Sequence, residues 1–150
     1  MKAEDIQNPL AWLARAPSLH IGGDALRQAV RAFRPDDSQI ADLNERLRHD
    51  GYFRLAHDFG VDLAAMADTV RGFSAAGVPP VFCFLYDEFW APFYALDAMY
   101  GGILGPYGFL PDFWIWNVDP ANGEAGWKPH RDRGRIALRV DGSPVSLTTW

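Results

Sequence analysis

The stretch GWKPHRDRGRIALRV, residues 126–140, sets a histidine and an aspartate one residue apart, at His130 and Asp132. A neutral imidazole nitrogen and a carboxylate oxygen are two of the three donors in the two-histidine, one-carboxylate triad that holds non-haem Fe(II) and leaves positions open. Backbone geometry decides whether these two groups can meet. On a helix, residues i and i+2 do not face each other. On an extended strand they share a face, because side chains alternate. Pro129 biases Lys128 toward extended geometry, so His130 and Asp132 are expected on one side and Arg131 on the other. Four histidines and 19 acidic residues in 150 give about half a chance match to His-x-acid. The spacing therefore also fits a surface pair or a histidine held by an ordinary hydrogen bond.

Other chemistries fit less well. His130, Arg131 and Asp132 spell the catalytic-loop triplet of protein kinases, but Ala137 stands where that pattern needs asparagine, and no glycine-rich loop precedes it. No nucleophile elbow supplies a serine for a Ser–His–Asp triad. Cys83 lies in an apolar run with no basic neighbour and reads as an inert core thiol. His57 and Asp58 are adjacent, so on a strand they diverge. His20 and His49 read as solvent-facing or loop-bound. Arg131, Arg133 and Arg135 either steer an acidic substrate or form a solvated strand face.

The elements that must position the pair divide at about residue 105. In the first part, Asp24 can cap a helix with Leu26, Val30 and Phe33 on its apolar face, ended by Pro35. Ser38 can cap a second, with Ile40, Leu43 and Leu47 on one face and Gly51 beyond it. Residues 52–55 form a short candidate strand. A third helix runs from Asp62 to Ala76, with Leu63, Met66, Val70 and Phe73 on one face and Gly77 after it. Pro79 and Pro80 lead into VFCFLY, read as a buried strand. Pro92 starts a fourth helix ending near Tyr100. In the second part, FWIWNV (113–118) reads as a strand and 119–126 as a loop. Residues 135–140 alternate with period two, DGSP (141–144) is a hairpin turn, and VSLTTW begins the return strand. Helices followed by antiparallel strands predict an α+β domain, 1–105 mainly helical and 106–150 mainly β.

Composition fits one globular domain over 1–150: 49% of residues are hydrophobic and 22% charged. A net charge of −5 and the lack of a basic stripe argue against nucleic acid as a partner. Asp87, Glu88 and Asp97 interrupt the most apolar region, so no membrane span is expected. One cysteine excludes an internal disulfide and fits a reducing, cytoplasmic location. No signal peptide is legible. Six tryptophans fit a packed aromatic core or a ligand pocket. The sequence stops at Trp150 on a strand with no turn after it, so the expectation is the N-terminal part of a longer protein.

The HRD triplet, the preceding WNVDP strand and the following RIALRVDGSPVSLTTW hairpin resemble the phytanoyl-CoA dioxygenase-like branch of the Fe(II)/2-oxoglutarate-dependent oxygenases. HDGYFRL and VFCFLYDEFW extend the resemblance over about residues 40–150. It implies a helical N-terminal layer packed on the first strands of a double-stranded β-helix (jelly-roll), here truncated. It implies His130 and Asp132 as the first two iron ligands, Fe(II) as cofactor and 2-oxoglutarate as cosubstrate. Trp150 matches a tryptophan beside 2-oxoglutarate, and Asn117 is a second candidate for contact with it; both positions also fit simple packing. The distal histidine and the basic residue that grips the far carboxylate of 2-oxoglutarate have no counterpart among the 150 residues, so the piece by itself is expected to be inactive. The implied activity is a dioxygenase that couples decarboxylation of 2-oxoglutarate to hydroxylation of a small organic substrate. Two alternatives remain: a non-catalytic jelly-roll or cupin-like binding module, and a zinc or nickel enzyme on the same scaffold.

Overall fold

A computed structural model describes residues 6–110, 113–128 and 138–150. Helices and 3-10 turns make up its regular structure: α1 (Pro9–Leu13), α2 (Asp24–Ala29), α3 (Asp37–Asp50), α4 (Leu63–Ala75), 3-10 turns at Pro80–Leu85 and Asp87–Trp90, α5 (Ala91–Ala95), α6 (Asp97–Leu104) and a last 3-10 turn at Pro120–Asn122. No strand forms among the described residues; the one β feature is an isolated antiparallel bridge between Leu138 and Pro144. The expected α+β architecture with a jelly-roll is therefore corrected to a helical one.

Several helices start and stop where local chemistry directs. The Asp62 side chain accepts from Ala65 N at 3.0 Å and caps α4. After α4 the chain reverses at Gly77, φ 65°, with Val78 N bonded to Phe73 O at 2.8 Å. For α3 the cap is Asp36 rather than Ser38. Asp36 accepts from Gln39 N, and the Gln39 side chain accepts from Asp36 N, which closes a capping box. Ser38 instead donates to Asp36 Oδ1 at 2.8 Å. α2 ends at Ala29, well short of Pro35, because Val30 turns extended at ψ 123°. The fourth predicted helix is interrupted at Leu96 into α5 and α6.

The strands expected from sequence are replaced for identifiable reasons. In VFCFLY, Pro79 and Pro80 launch a 3-10 turn. Cys83, Tyr86 and Phe89 are buried at spacing three while Val81 and Leu85 are exposed, which is a turn's periodicity and not a strand's. Residues 113–116 alternate half-buried and exposed yet find no ladder partner among the described residues. Residues 52–55 and 145–150 likewise lack one. The DGSP turn is present: Arg139 N donates to Ser143 O at 2.8 Å and Gly142 takes φ 82°. Residues 135–137 of the alternating run lie outside the described residues.

The chain forms two compact units, each assembled from separate stretches. The first comprises Met1–Arg31, Phe59–Pro92 and Pro111–Gly126. Its core is Trp12, Ala16, Leu19, Phe73, Val78, Cys83, Tyr86 and Phe89. Trp12 stacks on Phe82 at 5.0 Å between centroids. Tyr86 donates its hydroxyl to Trp12 O at 2.7 Å, so the polar atom is satisfied where its ring is fully buried. The second unit comprises Ala32–Asp58, Phe93–Leu110 and Trp127–Trp150. There α3 packs on α6, and Leu43, Leu96, Met99, Tyr100 and Ile103 are buried. Gly102 permits that approach: a Cβ on it would come within 2.5 Å of Ile40 Cδ1. Arg139 anchors the hairpin turn, donating to Pro144 O at 2.7 Å and Leu104 O at 3.0 Å.

Candidate functional site

His130 and Asp132 lie outside the described residues, as do Pro129 and Arg131. Asn117 is exposed in the first unit, beside the stacked rings of Trp114 and Trp116 at 5.9 Å. Trp150 belongs to the second unit and is 91% exposed. Its neighbour Thr149 shares a 2.9 Å hydrogen bond with the Tyr100 hydroxyl. The loop entering the His130 segment is ordered by its own side chains. Asp119 accepts from Ala121 N at 3.0 Å and from Asn122 Nδ2 at 2.9 Å, and Glu124 accepts from Asp119 N at 2.9 Å. This is an Asx turn closed by a second carboxylate.

The remaining histidines have other partners. His20 donates its backbone N–H to Glu88 Oε2 at 3.1 Å and sets Nδ1 2.6 Å from Glu88 Oε1. Asp87, next in sequence, accepts from Gly22 N at 3.2 Å and Gly23 N at 2.7 Å. Two adjacent carboxylates thus fasten the loop of residues 20–23. Sequence reading assigned Asp87 and Glu88 only the role of interrupting an apolar run, because the contact spans more than sixty residues of chain. His49 lies 2.7 Å from Asp50, and the hydrogen bond to that carboxylate, with its charge, holds the imidazole pKa above its ordinary value. His57 packs on the Phe33 ring at 5.5 Å. Among the described residues no group of three or more His, Cys, Asp or Glu side chains could hold a metal ion.

Cys83 is fully buried, and burial pushes its thiol up to about 11. It is the core thiol expected from sequence, not a nucleophile. An open groove of about 580 Å³ lies between residues 15–18 and α4. Its polar groups serve the fold: Asp62 caps α4, Asp68 pairs with Arg71, and Thr69 donates to Ala65 O at 2.8 Å. Among the described residues no helix is long and apolar enough to cross a membrane.

No protein-family model matches the chain, and comparison with curated proteins and with solved structures returns no match.

Proposed function

We propose that this chain contributes His130 and Asp132 to the metal centre of an Fe(II)/2-oxoglutarate-dependent dioxygenase acting on a small organic substrate. The observation that carries the reading is the His-x-Asp spacing behind Pro129 within a stretch that resembles such oxygenases. The jelly-roll has no part in it, since the described residues hold no sheet. The donor set fits iron: one imidazole and one carboxylate suit a site that leaves positions for 2-oxoglutarate and dioxygen. Those bound groups supply the redox chemistry. The chain's own residues hold and orient. His130 binds only as the neutral imidazole, and Asp132 offsets the metal's charge. His20, His49 and His57 do not match the distal ligand by motif, so the centre calls for a further histidine.

The test is an anaerobic titration, with Fe(II) and 2-oxoglutarate, of this chain together with the polypeptide that supplies the further histidine. The expected outcome is a visible charge-transfer band that needs both additions, together with Fe(II)-dependent succinate formation on admitting oxygen. His130→Ala and Asp132→Ala each abolish the band, and acidification through the ordinary imidazole range weakens it. Absence of band and turnover when that histidine is supplied overturns the reading and favours a non-catalytic binding role. Zinc or nickel retained at the pair in place of iron identifies the other metalloenzyme class.

A further inference from the structure

The loop of residues 119–124 in the first unit carries an Asn-Gly dipeptide, Asn122 and Gly123. An asparagine carboxamide is electrophilic at Cγ, and the backbone nitrogen of the next residue can close on it to a five-membered ring when nothing crowds the approach. Glycine has no Cβ to crowd it. The other asparagines lack that freedom. Asn8 precedes Pro9, which has no N–H to lose, and Asn44 and Asn117 precede the larger Glu45 and Val118. Asn122 and Gly123 are both exposed, so water and hydroxide reach them.

The closed loop holds this reaction in check. Gly123 N, the nucleophile, donates to Pro120 O at 3.1 Å, and a bonded N–H is harder to deprotonate. Asn122 Nδ2, the leaving group, donates to Asp119 Oδ2 at 2.9 Å, which fixes the carboxamide. The same Asp119 side chain accepts from Ala121 N at 3.0 Å, and its backbone carbonyl accepts from Glu124 N at 3.1 Å. Asp119 is thus the hub of the turn. All these bonds lie within one short surface loop, so the turn can open locally while the core stays folded.

We propose that Asn122 is a self-modification site, its amide replaced by a carboxylate through attack of the Gly123 nitrogen, at a rate set by opening of the Asp119 turn. In the opened turn hydroxide takes the Gly123 proton and the nitrogen bonds to Asn122 Cγ. The Cγ–Nδ2 bond breaks, and the nitrogen takes a proton from water and leaves as ammonia. Water then opens the cyclic imide at either carbonyl and leaves aspartate or isoaspartate. No metal, oxidant or reductant enters, and His130 and Asp132 take no part. The product keeps the turn open. The Nδ2 donor is lost and a second carboxylate faces Asp119, so a missing hydrogen bond and like-charge repulsion act together. Isoaspartate also lengthens the backbone that the loop bonds must span.

Incubation of the folded chain at mildly alkaline pH, followed by peptide mapping with mass spectrometry, tests this. The expected result is the small mass gain of an amide becoming an acid, with isoaspartate, at Asn122 and at none of the other asparagines. The rate should rise with hydroxide concentration and be higher still for the chain unfolded in urea. Asp119→Ala, with folding checked by circular dichroism, should speed the folded chain about tenfold, since it removes two side-chain hydrogen bonds from a local opening equilibrium. Hydrogen exchange at Ala121 N should be faster in the modified chain. The proposal is overturned by a folded chain that stays unmodified while the unfolded one reacts. Equal rates for folded and unfolded chain, indifference to Asp119→Ala, or unchanged exchange at Ala121 each overturn it too.

Discussion

Cys83 shows how a single side chain can be placed from its neighbours alone. VFCFLY surrounds it with apolar groups and offers no base or cation to stabilise a thiolate. The structure buries it completely, and burial raises its pKa to about 11. At pH 8 a disulfide-exchange reagent should therefore label the unfolded chain at once and the native chain only at the rate of opening. Prompt stoichiometric labelling of native protein, measured by absorbance of the released thiolate, would contradict the burial. The start of the third helix at Asp62 was legible for a similar reason, although its role as cap was not read: that bond reaches a backbone group only three residues away. His20 and Glu88 were not, because nothing local to either residue announces the other.

At the scale of elements, adjacent glycines in α6 provide a controlled comparison. Gly101 would present a Cβ to open space, whereas Gly102 would drive one into Ile40. Gly101→Ala should stabilise by about 0.5–1 kcal/mol through backbone entropy. Gly102→Ala should lose that gain and destabilise by about 1–3 kcal/mol through overpacking. Urea unfolding of both variants checks this, and in an Ile40→Val background, which lacks Cδ1, the Gly102→Ala penalty should shrink. Gains of equal size would mean that α3 and α6 are not in close contact. The helices themselves were readable because glycine stops and apolar spacing act within a few residues, as at α3 and α4, although the cap of α3 is Asp36 and not the expected Ser38. The strands were misread because aromatic and β-branched content marks any buried segment. A strand exists only when distant chain supplies a ladder. Residues 113–116 have the alternation without the partner, and Pro80 diverts VFCFLY into a turn before any pairing arises. The extended backbone on which the His130–Asp132 reading rests lies outside the described residues.

On the scale of the whole molecule, each unit has its own core, and each core contains tyrosine. In the first, burial raises Tyr86 to about 12, and Cys83 beside it adds a smaller repulsion. In the second, burial raises Tyr100, and raises Tyr107 together with its hydrogen bond to Asp97. These acids are neutral when folded and more readily ionised when unfolded, so the unfolded chain holds fewer protons in alkali. The stability they permit is complete below the ordinary thiol and phenol values of 9.0 and 10.0. It is lost as pH rises through the folded values, between about 9 and 12 for Cys83 and Tyr86. Melting temperature should hold level to about pH 9 and then fall. Tyr86→Phe separates the causes. It forfeits the bond to Trp12 O and should cost about 1 kcal/mol at neutral pH. It also removes one ionisable group from the first core, so its melting temperature should fall less steeply between about pH 10 and 12. Parallel pH profiles for the variant and the unaltered protein would show that Tyr86 ionisation does not limit folding, and would place the alkaline transition elsewhere.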